Sequence, residues 1–282
     1  MDISGKIEAN QVAVYRDVSN AAEALDIPFV VVGAAARDLV LHYGYGAKIV
    51  RATVDIDFGV QIPDAAAYKS MLARLVTNRY RLTAAPHRLI SPNDIVVDLV
   101  PFGPIATADG NVILPPDESH QINIVGFQEA CDSADQVTIQ TNPQIVIPVA
   151  SPAGLALLKL IAWTDRAADI RRKDASDLAY LLENYEKIPM ITEIIYDDTA
   201  VLEGFDWDPA LAGAFVLGSA SKAIASEEAL TIVAKLKSGK VRNRTIETLQ
   251  YEMCRYNFDD DEVRRKHALL DAFFQGFSIQ QK

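Results

Sequence analysis

The sequence contains little cysteine and has no start typical of an exported protein. Its two cysteines, Cys131 and Cys254, stand in no metal-binding spacing. A disulfide scaffold is therefore not expected, and so low a cysteine content fits a reducing cytosol. The first ten residues are polar and include Asp2 and Glu8, unlike the basic and then apolar start of a signal peptide. We predict a cytoplasmic protein.

Excess positive charge and long apolar runs are also missing. The formal net charge is −11, whereas broad electrostatic attraction to nucleic acid needs a basic face. Binding of nucleic acid would therefore need a local basic groove. Arg37 and Asp38 interrupt the first of the two most apolar stretches, and Pro148, Pro152 and Lys159 interrupt the second. We therefore predict no membrane span and no membrane partner.

Half of the 282 residues are hydrophobic, which is enough for a sizeable core. There is no internal repeat and no low-complexity linker, but the pattern changes near residue 150 from mixed α/β to almost entirely helical. We predict an α/β core over residues 1–150 and a helical domain over 151–282, whose first two helices span 151–185. The predicted strands are 29–33, 54–62, 88–91, 95–102, 121–127 and 136–140, and the predicted helices are 7–25, 34–43, 65–77, 152–163, 173–184, 192–202, 209–220, 227–237, 244–256 and 261–274. Residues 112–140 are expected at the edge of the same sheet.

Two carboxylates, Asp55 and Asp57, lie two residues apart within an apolar run. On a strand they project from the same face, where two like charges repel unless a cation joins them. A divalent ion, most simply Mg²⁺, meets this need with hard oxygen ligands, and the arrangement suits metal-assisted phosphoryl or nucleotidyl transfer. The alternative is an ordinary half-solvated strand. Arg51 and Thr53 share the same face if the strand extends backwards, where they would orient phosphate oxygens.

A third acid and a lysine also stand in apolar surroundings. Asp98 lies within a strongly apolar predicted strand, so its carboxylate needs a partner. Beside the first two acids it would complete a two-metal site, although an aspartate at a strand edge is the simpler alternative. Lys159 lies inside an apolar helical run, so it either extends outward to water or reaches a counter-charge such as a triphosphate.

Gly33 ends the first predicted strand and is followed by Ala34, so that the backbone there is open to a triphosphate. Taken alone, the same pair fits a tight turn between a strand and a helix. The order Gly33-Ala34, Asp55-Ile-Asp57, Asp98 resembles the nucleotidyltransferase-fold superfamily. Three motifs also resemble the AbiEii/AbiGii toxin branch of that superfamily: Arg51-x-Thr53-x-Asp-Ile-Asp, Leu158-Lys159-Leu-Ile-Ala-Trp-x-x-Arg166 and Arg172-Lys173-Asp174-x-x-Asp177-Leu178. The resemblance covers residues 29–182.

This resemblance implies a mixed-sheet α/β core, dependence on Mg²⁺ (or Mn²⁺ in its place) and a nucleoside triphosphate as donor. It implies that Asp55, Asp57 and Asp98 are catalytic residues and metal ligands, with Asp98 activating the acceptor. By the same likeness Lys159 binds the triphosphate, and Asp174, in the last motif of the family, is a further nucleotide-binding residue. The first two helices of the helical domain (151–185) would then complete the nucleotide site. The family usually has Gly-Gly or Gly-Ser at the position of Gly33-Ala34. Ala34 can offer the phosphates its backbone amide but no side-chain hydroxyl.

The leading hypothesis is a metal-dependent nucleotidyltransferase that moves a nucleoside monophosphate from a nucleoside triphosphate to a hydroxyl of RNA or protein. It would be the toxin of a toxin–antitoxin or abortive-infection system, with an antitoxin as a further partner. One alternative is an antibiotic-type enzyme with a small-molecule acceptor, because the net charge of −11 suits a cationic acceptor. The other is a non-catalytic protein that binds nucleotide as a sensor or uses the fold as a scaffold.

Overall fold

Both strands and helices occur up to residue 151, and the described elements beyond it are helices. The computed structural model describes residues 1–49, 55–107, 110–113, 121–197, 199–241, 244–254 and 259–278. It divides into two compact units, Met1–Ser151 and Pro152–Lys282. No helix in these ranges combines the length and apolarity that a membrane crossing requires.

A seven-stranded mixed sheet is the centre of the first unit, in the order β3-β4-β5-β2-β1-β9-β8. The pairs β2–β5 and β1–β9 are parallel, and the other neighbours are antiparallel. A separate antiparallel ribbon joins β6 and β7. The strands are β1 (Phe29–Val32), β2 (Asp55–Gln61), β3 (Arg81–Leu82), β4 (Arg88–Ile90), β5 (Val96–Phe102), β6 (Asn111–Ile113), β7 (Gln121–Asn123), β8 (Asp135–Thr141) and β9 (Gln144–Val149).

Helices of the first unit pack against this sheet. They are α1 (Ala9–Glu23), α2 (Gly33–Arg37), α3 (Ala65–Thr77) and α4 (Phe127–Asp132). Asp64 starts α3 as its cap, because its carboxylate accepts a hydrogen bond of 2.8 Å from the amide of Ala67. The fully buried ring of Phe58 on β2 lies edge-on to Tyr15 of α1, and burying such a side chain contributes about 1.5–3 kcal/mol.

The second unit is built of helices. Its helices are α5 (Pro152–Asp165), α6 (Ala168–Asn184), α7 (Pro189–Asp197), α8 (Thr199–Glu203), α9 (Pro209–Ile224), α10 (Glu227–Lys237), α11 (Ile246–Glu252) and α12 (Asp260–Ser278). Asp208 caps α9 by accepting from the amides of Ala210 and Leu211, and Pro209 occupies the first turn, where no amide donor is needed.

These elements confirm the predicted fold class, a mixed-sheet α/β core with a helical carboxy-terminal part. One predicted element near residue 120 was wrong in detail. The strand predicted over 121–127 ends at Asn123 and pairs with β6 outside the main sheet. Gly126 takes a left-handed conformation (φ 93°) and starts α4, which turns the ring of Phe127 onto Phe102.

Two helix predictions also changed. The helix predicted over 34–43 starts at Gly33 as α2 and widens into a π-helix over Asp38–Gly44. The helix predicted over 173–184 begins five residues earlier, at Ala168, so that Arg171 lies within it. Asp174 and Asp177 consequently occupy the middle of α6 and are buried, whereas a later start would have placed them in an exposed first turn.

Candidate active site

The alternating pattern of β2 turns Asp55 and Asp57 away from the core. Ile56 and Phe58 between and beyond them are 2% and 0% exposed, whereas the two aspartates are only partly buried. Because alternate residues of a strand share a face, the two carboxylates lie side by side on the opposite face of the sheet. The structure thus agrees with the face assignment made from the sequence.

Asp98 joins these two acids from the neighbouring strand. β5 runs parallel to β2 with Asp98 beside Asp57 in the register. Carboxylate oxygens of Asp55, Asp57 and Asp98 all lie within 4.8 Å of one another, and we call these three residues the acid triad. Three like charges this close repel, so a cation beside them would lower that repulsion.

The donor set of the acid triad fits a divalent metal ion. Carboxylate oxygens are the hard ligands that Mg²⁺ and Mn²⁺ bind, and these ions need a site that is reachable from water. Asp55 and Asp57 meet that condition because both are partly exposed, while Asp98 is only 6% exposed. A metal is thus compatible with the residues present.

Gly33 and Ala34 follow β1, whose last residue pairs with Asp57. Gly33 has a φ of +69°, and a Cβ built on it would overlap the carboxylate of Asp57. A side chain is excluded there by both the backbone conformation and the space. Ala34 is 7% exposed. Two other predicted site residues, Arg51 and Thr53, lie outside the described part of the chain.

Arg88 on β4 is bonded to the acid triad, and the sequence analysis did not propose it as a site residue. Its Nε donates to Oδ1 of Asp98 at 2.7 Å and its Nη2 donates to Oδ2 at 2.6 Å. The hydrogen bonds to Asp98, followed by the negative charges of Asp55 and Asp57, raise the pKa of the Arg88 guanidinium. The buried carboxylate of Asp98 thus has the partner that its apolar surroundings require.

Lys159 and Asp174 are brought together within the second unit. The Nζ atom of Lys159 on α5 lies 3.1 Å from Oδ1 of Asp174 and 2.8 Å from Oδ2 of Asp177, both on α6. Arg166 Nη1 adds two hydrogen bonds of 2.9 and 3.0 Å to Asp174. Asp174 is 1% exposed, so its carboxylate orients two cations from a position closed to water.

A second ion pair anchors α11 to α6. Arg171 donates to both carboxylate oxygens of Glu252, and the indole Nε1 of Trp163 donates to Oε2 at 2.7 Å. Burial acts to raise the pKa of the Glu252 carboxyl, but the hydrogen bonds from Arg171 and Trp163 outweigh it and the pKa lies below its ordinary value. This group fixes the position of α11 relative to α5 and α6.

The chain is similar to several known proteins. One similar solved structure is that of the antibiotic-resistance factor ANT(2″)-Ia, with 14% sequence identity, 71% of this chain and 98% of that chain covered, and a TM-score of 0.37. A second is an antigenic nucleotidyltransferase-like protein from Paracoccidioides brasiliensis, with 14% identity, 70% of this chain and 92% of that chain covered, and a TM-score of 0.38. A third is the CCA-adding enzyme of Thermotoga maritima complexed with tRNA, with 11% identity, 98% of this chain and 68% of that chain covered, and a TM-score of 0.26. No curated protein sequence matches the chain. Residues 17–209, more than half of the chain, match the family described as nucleotidyl transferase AbiEii toxin, type IV toxin–antitoxin system. The chain belongs to the AbiEii nucleotidyl transferase toxin family.

Proposed function

We propose that the protein is a metal-dependent nucleotidyltransferase that moves a nucleoside monophosphate from a nucleoside triphosphate to an acceptor hydroxyl on RNA or protein. The observation that carries this proposal is the acid triad, which two parallel strands bring together within the region that matches the family. We further propose that the protein is the toxin of a toxin–antitoxin pair or an abortive-infection system, as the family description suggests, and has an antitoxin as partner.

In the proposed reaction the acceptor oxygen forms a bond to the α-phosphorus, the bond from that phosphorus to the β-phosphate oxygen breaks, and pyrophosphate leaves. Asp55, Asp57 and Asp98 would hold Mg²⁺ or Mn²⁺, which neutralises charge on the phosphates when it is bound. Asp98 takes the proton of the acceptor hydroxyl. Because positioning and charge neutralisation dominate phosphoryl transfer, the protein needs no covalent intermediate.

Nucleotide binding is assigned to residues outside the acid triad as well. Gly33 and Ala34 are proposed to bind phosphate oxygens through backbone amides at the end of β1, and Arg51 and Thr53 are proposed to orient phosphate oxygens. Lys159 is proposed to bind the triphosphate, for which it would exchange a carboxylate partner for a phosphate. Asp174 then acts through Lys159, because at 1% exposure it is closed to a ligand in water.

One alternative acceptor is favoured by an observation on the whole chain. The net charge of −11 attracts a small cationic molecule and repels RNA. An antibiotic-type nucleotidyltransferase is therefore the second candidate function, and it shares the acid triad and the donor with the first. A catalytically silent nucleotide sensor is the third, and turnover separates it from both.

The experiment is incubation of the protein with each α-³²P-labelled nucleoside triphosphate, Mg²⁺ and one acceptor pool at a time: total RNA, cell protein or cationic small molecules. Label should enter one pool and should require the metal. Asp57→Asn should lower the rate by about 10³-fold or more, since it removes one of two adjacent charges that the phosphoryl transfer needs. Binding of a triphosphate without transfer to any pool would support the sensor instead.

Asp94→Asn is the matched control for Asp57→Asn. Asp94 lies in the turn between β4 and β5, outside the acid triad, with a φ of 59° that asparagine also adopts readily. Its carboxylate is 82% exposed and bonded to Arg81, a pair that contributes little to stability. The control loses the same unit of charge from the same part of the chain and should retain its rate. Equal rates in Asp57→Asn and Asp94→Asn would refute the proposed site.

A further inference from the structure

Three charged residues form a row across neighbouring strands, and one of them is a cation. Arg88 lies opposite Asp98 in the antiparallel β4–β5 pair, and Asp98 lies beside Asp57 in the parallel β5–β2 pair. The row begins with a guanidinium and ends in the acid triad. The chain thus supplies one positive charge of its own at the place where three carboxylates meet.

The bidentate bond limits what else Asp98 can bind. Each Asp98 oxygen accepts one N–H of Arg88, at 2.7 and 2.6 Å, in the planar geometry that guanidinium and carboxylate groups favour. A metal ion that binds Asp98 must therefore share these oxygens with Arg88. It must also approach a guanidinium that keeps its positive charge at every physiological pH, and the two cations repel.

The two partners differ in their access to water. The side chain of Arg88 is 41% exposed, whereas that of Asp98 is 9% exposed. If the pair separates, the guanidinium can be hydrated where it lies, but the Asp98 carboxylate needs a replacement cation. Arg88 is thus the partner that can leave.

We propose that Arg88 is a positioning residue that competes with the metal ion for Asp98. This inference rests on the proposed function, because it presupposes that the acid triad binds a metal. Arg88 holds Asp98 in one orientation through its two hydrogen bonds while the site lacks its metal, and it releases Asp98 when a metal joins the three acids. The cost of that release weakens metal binding in the wild-type protein.

A structural role for the same ion pair makes the opposite prediction. If Arg88 only stabilised the β4–β5 hairpin, or only oriented Asp98 as a ligand, its removal would weaken metal binding or leave it unchanged. Competition predicts that removal strengthens binding, a gain that damage to the fold does not produce. The sign of the change in metal affinity therefore separates the two roles.

The test is calorimetric titration of the metal-free protein with Mn²⁺, without nucleotide or acceptor. Arg88→Gln should bind Mn²⁺ about tenfold more tightly than wild type, because the metal no longer displaces a charge-assisted hydrogen-bonded partner. Arg88→Lys, which keeps the charge but has no planar fork, should fall between the two. In an Asp98→Asn background the substitution at Arg88 should have no further effect.

Arg81→Gln is the control for the loss of one positive charge. Arg81 lies on the neighbouring strand β3 and is bonded to Asp94 in an exposed pair, away from the acid triad. A change in net charge alone would raise the affinity of Arg81→Gln and Arg88→Gln alike, whereas competition raises it in Arg88→Gln alone. Unchanged or weaker Mn²⁺ binding by Arg88→Gln, or an equal gain in Arg81→Gln, would overturn the inference.

Two further outcomes keep the inference and the proposed function distinct. If wild type binds Mn²⁺ and Asp57→Asn does not, but Arg88→Gln binds no better than wild type, only the role of Arg88 is wrong. If wild type binds no Mn²⁺ at millimolar concentration, the metal site itself is wrong, and the role of Arg88 with it. Circular dichroism checks folding, and Arg88→Lys carries the test if Arg88→Gln does not fold.

Discussion

The carboxylate of Asp57 fills the space that a side chain on Gly33 would need. A Cβ atom on Gly33 would overlap Oδ2 of Asp57, and the glycine has a φ of +69°. The end of β1 and the acid of β2 are thus fitted to each other, since Val32 pairs with Asp57 in the sheet. Glycine is required here for the position of the acid triad as well as for the turn.

Gly33→Ala should lower both stability and metal binding. The left-handed conformation costs a residue with a side chain about 1–3 kcal/mol, and the new methyl group must displace the Asp57 carboxylate. Gly46→Ala is the matched control, because Gly46 has a φ of +75° and a Cβ added to it would meet no atom within 4 Å. Mn²⁺ titration and chemical denaturation of both variants should show a loss of stability in each and a loss of metal affinity in Gly33→Ala alone. A matching loss of affinity in Gly46→Ala would contradict this account.

Local patterns in the sequence predict the two parts of the acid triad, and the resemblance to the nucleotidyltransferase fold predicts that these parts meet. Alternation along β2 places Asp55 and Asp57 on one face, and the short apolar strand around Asp98 requires a partner for that acid. The hairpin predicted over 88–91 and 95–102 also indicates the position of Arg88 relative to Asp98. Its three-residue turn pairs Ser91 with Ile95, and counting back along both strands places Arg88 opposite Asp98.

Contacts over long sequence separation were not predictable in the same way. Glu252 meets Arg171 and Trp163 from 81 and 89 residues away, and no local period encodes that approach. The early start of α6 was missed because charged residues at its beginning look like a solvated loop, whereas Asp174 is buried against Lys159. Tertiary packing decided these elements against the local pattern.

Lys159 and Asp177 should show energetic coupling in a double-mutant cycle. Lys159→Met removes a cation from two carboxylates that are 1% and 3% exposed, which should cost about 3–5 kcal/mol. Asp174 keeps its hydrogen bonds from Arg166, and adding Asp177→Asn removes the other carboxylate that Lys159 contacts. The loss in the double variant should therefore be smaller than the sum of the two single losses by about 1–3 kcal/mol. Urea denaturation of the four proteins gives the coupling. Additive losses would show that the 2.8 Å pair contributes nothing.

Gly218→Ala should destabilise the helical unit strongly. A Cβ on Gly218 of α9 would overlap the backbone carbonyl of Phe273 on α12, and backbone yields less than a flexible side chain does. Overpacking of this kind costs about 1–3 kcal/mol. Gly204→Ala is the control, because its Cβ would meet carbonyl oxygens at 3.4 Å, close to ordinary contact. Thermal denaturation should show a lower midpoint for Gly218→Ala, and a midpoint equal to that of Gly204→Ala would disprove the close approach of α9 and α12.

Glu252→Gln should remove part of the acid sensitivity of the protein. Glu252 is bonded to Arg171 and Trp163, and its pKa in the folded state lies below the ordinary value of 4.5. A lowered carboxyl pKa adds stability that is complete above the unfolded-state pKa and is lost as the pH falls through the folded-state pKa. At pH 7 the variant should be less stable by about 1.5–3 kcal/mol, the contribution of hydrogen bonds to a charged group. As the pH falls below about 4.5, this difference should shrink, because the wild-type carboxylate is then protonated and uncharged, as the glutamine is at every pH.

Glu193→Gln, at an exposed position of α7, is the control and should follow the wild-type pH profile. Denaturant titrations at pH 7, 5, 4 and 3 measure the three curves, and a constant gap between wild type and Glu252→Gln would show that the ion pair does not control acid stability.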